Sequence, residues 1–159
     1  MNAKIARQYE IVKIYRQLRD DLMVELSDDD LTYSPGGEND SLGVLCRQLG
    51  EVQKGYVESF KTFSTAFDYE TDDEEMESRA DRIRAWYQQL DDELEEVLET
   101  LSDEEVDNRM IVRTEPFKLP AVIHLDVFRE ALIIFFGKVS VYLKSMNRTR
   151  PTKWDKWLG

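Results

Sequence analysis

An all-α fold, a four-helix bundle, follows from three observations on this sequence. Four long segments repeat apolar residues at helical spacing, no credible set of strands accompanies them, and turn-rich or strongly acidic stretches separate them. The 159 residues suit one domain, 1–159, built on a single core. With 42% apolar and 34% charged residues the chain is neither collagenous, low-complexity nor disordered.

The first helix is expected over 2–26, where Ile5, Tyr9, Val12, Leu18, Leu22 and Leu26 form one stripe. Residues 27–40 gather Ser, Asp, Asn and Pro around Gly36-Gly37, which is turn chemistry and reads as a loop. Ser41 is placed to cap a second helix, whose stripe of Leu42, Leu45, Leu49, Val52, Tyr56, Phe60 and Phe63 carries it to about residue 62. The pattern fails over 64–75 and resumes as a third helix with Met76, Ala80, Ile83, Tyr87, Leu90, Leu94, Val97 and Leu101.

Ser102 and Glu105 match a capping box and predict a short turn. Residues 109–119 are β-branched and bounded by proline, with no helical period, so an extended connector is expected there. Pro120 suits the first turn of a fourth helix, which Val127, Phe128, Ala131, Phe135, Val139 and Tyr142 carry to about residue 146. The tail, with Trp154, Trp157 and Leu158, is too apolar to be an idle end and is expected to pack on the bundle.

Charge narrows the partners. The formal net charge of −12 disfavours nucleic acid and anionic membranes. Residues 68–107 alone sum to −15, leaving the remainder at +3, so the acidity belongs to the third helix and its approach. A solvated helix face explains that tract better than a cation site, and an EF-hand is excluded because no glycine lies between Gly55 and Gly137. The nearby Arg79, Arg82 and Arg84 read as surface ion pairs. The amino terminus carries charges throughout and lacks a secretory signal, and the longest apolar run of the last helix is far short of a membrane span, so a cytoplasmic protein is expected.

Few residues offer chemistry. Cys46, the single cysteine, excludes an intrachain disulfide and reads as a small core residue rather than a nucleophile. His124, the single histidine, lies within about 20° of Ala131 and Phe135 and about 40° of Phe128 around the helix, so it belongs to the inner stripe. One imidazole makes no transition-metal site without partners from other helices, and a core histidine bonded to a neighbour is the simpler expectation. No catalytic triad order, glycine-rich phosphate loop or HExxH occurs.

Three segments together, SLGVLCRQLGEVQ over 41–53, FREALIIFFGKVSVYLKSMN over 128–147 and PTKWDKWLG over 151–159, resemble the DinB/YfiT-like family of four-helix-bundle metalloenzymes. The resemblance implies a homodimer and three metal-binding histidines: one seven residues after the Ser or Thr opening the second helix, and a pair four residues apart on the last. With Gly137-Lys138 as anchor, those positions fall here on Gln48, Ala131 and Phe135. None is histidine, so the expectation is that the family's metal site is absent and no cofactor is needed. Phe135 would add about 1.5–3 kcal/mol of burial there instead.

The expected pocket comprises Gln48, Glu51, His124, Phe128, Ala131 and Phe135. A displaced site for zinc, nickel or iron would need His124, Gln48 and Glu51 to converge. Three functions compete: a metal-free small-molecule-binding or scaffolding homodimer, which is preferred; a metal-dependent thiol S-transferase or isomerase, as the resemblance implies; and an acidic adaptor for a basic protein, resting on charge alone.

Overall fold

The structure, a computed structural model, describes residues 1–158. Asn2 opens α1 (Ala3–Glu25), its side chain accepting the Lys4 N–H at 2.8 Å. One turn of helix, α2 (Asp28–Leu31), opened by a Ser27/Asp30 capping box, interrupts the loop expected over 27–40. Ser41 then caps α3 (Leu42–Thr62) by accepting the Val44 N–H, and Phe63, at φ 59°, ends it. Next come α4 (Ala80–Thr100) and α5 (Asp103–Asn108), the latter behind the predicted Ser102/Glu105 capping box.

The third long helix starts later than the periodicity implies. Met76 is buried, but it lies in a turn; α4 begins at Ala80, whose N–H is accepted at 2.8 Å by Asp28 of α2. Its capping acceptor comes from 52 residues away in sequence, so no local motif marks the boundary.

The extended connector is paired rather than single. Strands β1 (Met110–Thr114) and β2 (Phe117–Pro120) form an antiparallel hairpin with Ile111 opposite Leu119, and Ile111 is fully buried. Val112 bonds back to the segment after α3, donating to Phe63 O and accepting from Thr65 N. The β-branched residues that broke the helical period thus cover the end of the bundle.

The last long helix, α6 (Ala121–Ser145), ends where Asn147 adopts φ 55° and the Arg148 N–H returns to Leu143 O. The tail does pack back. Trp154, at the start of α7 (Trp154–Trp157), is fully buried, donates its indole N–H to Leu18 O at 3.0 Å and sits 4.9 Å from the Phe136 ring. Trp157 is half exposed.

Within the bundle α1 packs on α6 and more lightly on α4, while α3 packs on both α4 and α6. Consecutive long helices α1 and α3 therefore occupy opposite corners, as do α4 and α6, and the elements between them supply the length for these crossings. Gly50 allows the close approach of α3 and α4: a Cβ there would lie 2.3 Å from the Trp86 ring. One apolar cluster runs through the bundle, and the predicted inward residues are buried except Val52, Val127 and Ala131, which are half-buried. Among the described residues no helix is long and apolar enough to cross a membrane.

Candidate functional site: the groove between α3 and α6

Two of those three exceptions mark a groove. From α3 come Leu45, Gln48, Leu49 and Val52; from α6 come Ala131, Ile134, Phe135 and Lys138; together they line a cavity of about 190 Å³. The apolar stripes of the two helices diverge here, leaving Val52 and Ala131 with solvent above them. Gln48 and Lys138 are exposed at the rim, and Phe135 forms the buried floor, its ring 5.8 Å from that of Phe136.

Of the six residues expected to share a pocket, the structure brings together Gln48, Ala131 and Phe135. It sends the other three elsewhere. Glu51 faces the acidic segment before α4, pairing with Arg47 at 2.5 Å and accepting the Thr71 N–H at 3.1 Å. His124 and Phe128 are fully buried in an aromatic cluster nearer the start of α6, where Tyr56 lies 4.8 Å from the imidazole and 5.1 Å from the Phe128 ring. His124, Gln48 and Glu51 therefore do not converge on a displaced metal site. Among the described residues no group of three or more His, Cys, Asp or Glu side chains is arranged to hold a metal ion.

The histidine has found a core partner. Ser59 Oγ donates to Tyr56 O at 2.6 Å, so its lone pair is left for the His124 Nε2–H at 2.7 Å. This assigns the Nε2–H tautomer and makes Nδ1 an unprotonated buried nitrogen with no hydrogen-bond partner. Burial, reinforced by the positive charge of Arg113, pushes the imidazole down to about 4 and keeps it neutral near pH 7. Cys46 is equally enclosed: burial pushes its thiol up to about 12, the opposite of an activated nucleophile.

A second polar arrangement escaped the sequence reading. Arg19 of α1, with no exposed surface, reaches Asp91 of α4 at 2.7 Å and Gln53 of α3 at 2.9 Å. Gln53 donates to Asp91 at 2.8 Å, and Arg16 adds a second cation on Asp91 at 2.7 Å. Tyr87 lies 4.3 Å beneath the Arg19 guanidinium and donates its hydroxyl to Cys46 O. One signal was available: Arg19 stands seven residues from both Val12 and Leu26, and Asp91 and Gln53 likewise fall on inward stripes. Three polar residues of matching chemistry at inward positions of three helices point to a shared buried network. Arg19, Gln53 and Asp91 bond to one another inside the core, so the network joins the helices, and only the Arg16 Nε at its edge lacks a partner.

An all-α bundle whose long helices cross at its corners, with a groove between the second and last of them, defines the class of protein. The chain belongs to the DinB superfamily, whose family model matches residues 14–128. Its fold is similar to that of a DinB-like protein, YjoA of Bacillus subtilis, with a TM-score of 0.67, 18% sequence identity and coverage of 93% of this chain and 94% of that one. No curated protein matches the sequence. The three positions to which the family resemblance assigns metal ligands are those the groove unites, and their chemistry does not fit a transition metal. Alanine and phenylalanine carry no donor atom, and a glutamine amide oxygen is a weak ligand beside imidazole.

Proposed function

We propose that this chain is a metal-free DinB-type bundle that binds a small molecule in the α3/α6 groove and acts as a homodimer. The observation that carries the reading is that Gln48, Ala131 and Phe135 line one pocket whose remaining walls are largely apolar. A site with an apolar floor and two polar groups at its rim has the general character of a small-molecule pocket. Support for the dimer comes from α6, where Ile123, Ile134 and Val141 lie on one line of the helix and are all exposed.

Elemental analysis of protein purified without an affinity tag tests the metal-free reading: no stoichiometric zinc, nickel or iron is expected, and a full equivalent of any of them would overturn it. Gln48→His, Ala131→His and Phe135→His introduced together should create zinc binding in a folded protein. Failure of that variant to bind would remove the register on which the reading rests. Sedimentation should give a dimer that Ile123→Lys with Val141→Lys converts to a monomer; a monomeric native chain would sink the dimer.

A further inference from the structure

The polar groups at the rim of the groove restrict what it can hold. Its eight lining residues include no Asp or Glu, in a chain that carries 33 of them. Its one charged residue is Lys138, which among the described residues forms no ion pair, and Gln48 beside it has no hydrogen-bond partner there. Below this rim the walls are apolar, and the volume of about 190 Å³ is somewhat larger than a dry cavity of about 150 Å³ that accepts benzene.

An apolar floor with one cation at its mouth, in no ion pair among the described residues, matches an anion with a compact apolar body. A further groove of about 300 Å³ shares Leu45, Gln48 and Lys138 with the first and brings in Glu38 and Asp40. Their negative field offsets part of the pull of Lys138 on any anion and costs a dianion twice what it costs a monoanion, which favours the monoanion. Gln48 offers an amide N–H₂ to the oxygen that Lys138 does not take.

We propose that the groove takes a small monocarboxylate with a benzene-sized apolar body, its carboxylate between Lys138 and Gln48 and its body against Leu49, Ala131 and Phe135. This rests on the small-molecule reading of the groove and adds the ligand's charge and size. Phosphorylated metabolites, which carry a dianion, are disfavoured on charge.

Titrations of the full-length protein with phenylacetate, phenylacetamide and phenethylamine, followed by NMR at the Ala131 and Ile134 methyl groups, test it. Saturable shifts are expected, with phenylacetate binding about three- to fivefold more tightly than the amide and the amine weakest, the range of an exposed charge pair. Lys138→Met keeps the apolar stem and should lower phenylacetate to the affinity of the amide while leaving the amide unchanged. Lys138→Gln should do the same, and position 138 is exposed enough for either variant to fold. Equal affinities for all three compounds, or no effect of either substitution, overturn the carboxylate while leaving the groove as a small-molecule site. No shift at Ala131 or Ile134 with any compound overturns both. Because Ile134 also lies on the α6 line offered for the dimer, the titrations are run at constant protein concentration, and shifts at Ala131 that follow protein dilution but no added compound overturn the ligand in this groove.

Discussion

Toward α1 and α4, helix α3 presents Gln53 to a network in which the buried Arg19 and Asp91 and the half-buried Arg16 are all in ion pairs; toward α6 it presents Gln48 to a groove where the nearby cation is not. The two glutamines are five residues apart, about 140° around the helix, and their surroundings have opposite consequences. Buried polar groups that satisfy one another fix which helix lies against which, and they have nothing left for a ligand. Exposed polar groups above an apolar floor contribute little to stability and remain available. In this chain the polar investment in architecture and the polar capacity for binding lie on different faces of one helix.

Substitutions on the two faces should therefore differ widely in effect. The largest is expected from Asp91→Ala, which removes the one buried carboxylate shared by Arg19 and Arg16 and leaves Arg19 only the partly exposed Asp20, at 2.6 Å, as counter-charge. Urea unfolding should show a loss of about 3–5 kcal/mol, and a loss below about 1 kcal/mol would mean that water reaches the network.

His124 is next and depends on pH. Its imidazole titrates near 4 in the folded chain against 6.5 ordinarily, so between those values the unfolded chain binds more protons and stability falls as the pH is lowered. The full contribution, present above pH 6.5, is about 3 kcal/mol by order of magnitude. Stability measured from pH 7 down to 5, before most carboxylates titrate, should slope downward in the native chain. His124→Leu should flatten that slope, and an unchanged slope would place its origin elsewhere.

The smallest effect belongs to the groove rim. Gln48→Ala should move the unfolding midpoint by the equivalent of less than about 0.5 kcal/mol, as for an ordinary exposed position. A loss comparable with that of Asp91→Ala would erase the contrast between the two faces.

Much of this architecture was legible beforehand because burial repeats at the helical period. The stripes of Ile5 through Leu26 and Leu42 through Phe63 are buried almost throughout, and the Ser41 and Ser102 caps are local motifs that the structure retains. The groove was half legible. Gln48, Ala131 and Phe135 could be grouped through the family resemblance, while His124 and Phe128, on the same stripe, were grouped with them by angle alone. Helical angle fixes direction around the axis and says nothing of distance along it: His124 is about 10.5 Å from Ala131 at 1.5 Å per residue, and it meets Ser59 and Tyr56 instead.

By itself, then, the sequence determined the helices, most of their inward faces, the turns between them and the scarcity of metal-binding side chains, since each is a matter of local spacing or composition. Only the tertiary structure decided that Asp28 caps α4, that 110–120 pairs as a hairpin, that Arg19 spans the bundle to Asp91 and that the α3 and α6 stripes part above Phe135. These depend on which segments meet across the bundle, and a side chain's partner there is set by packing over long sequence separations that no local pattern encodes.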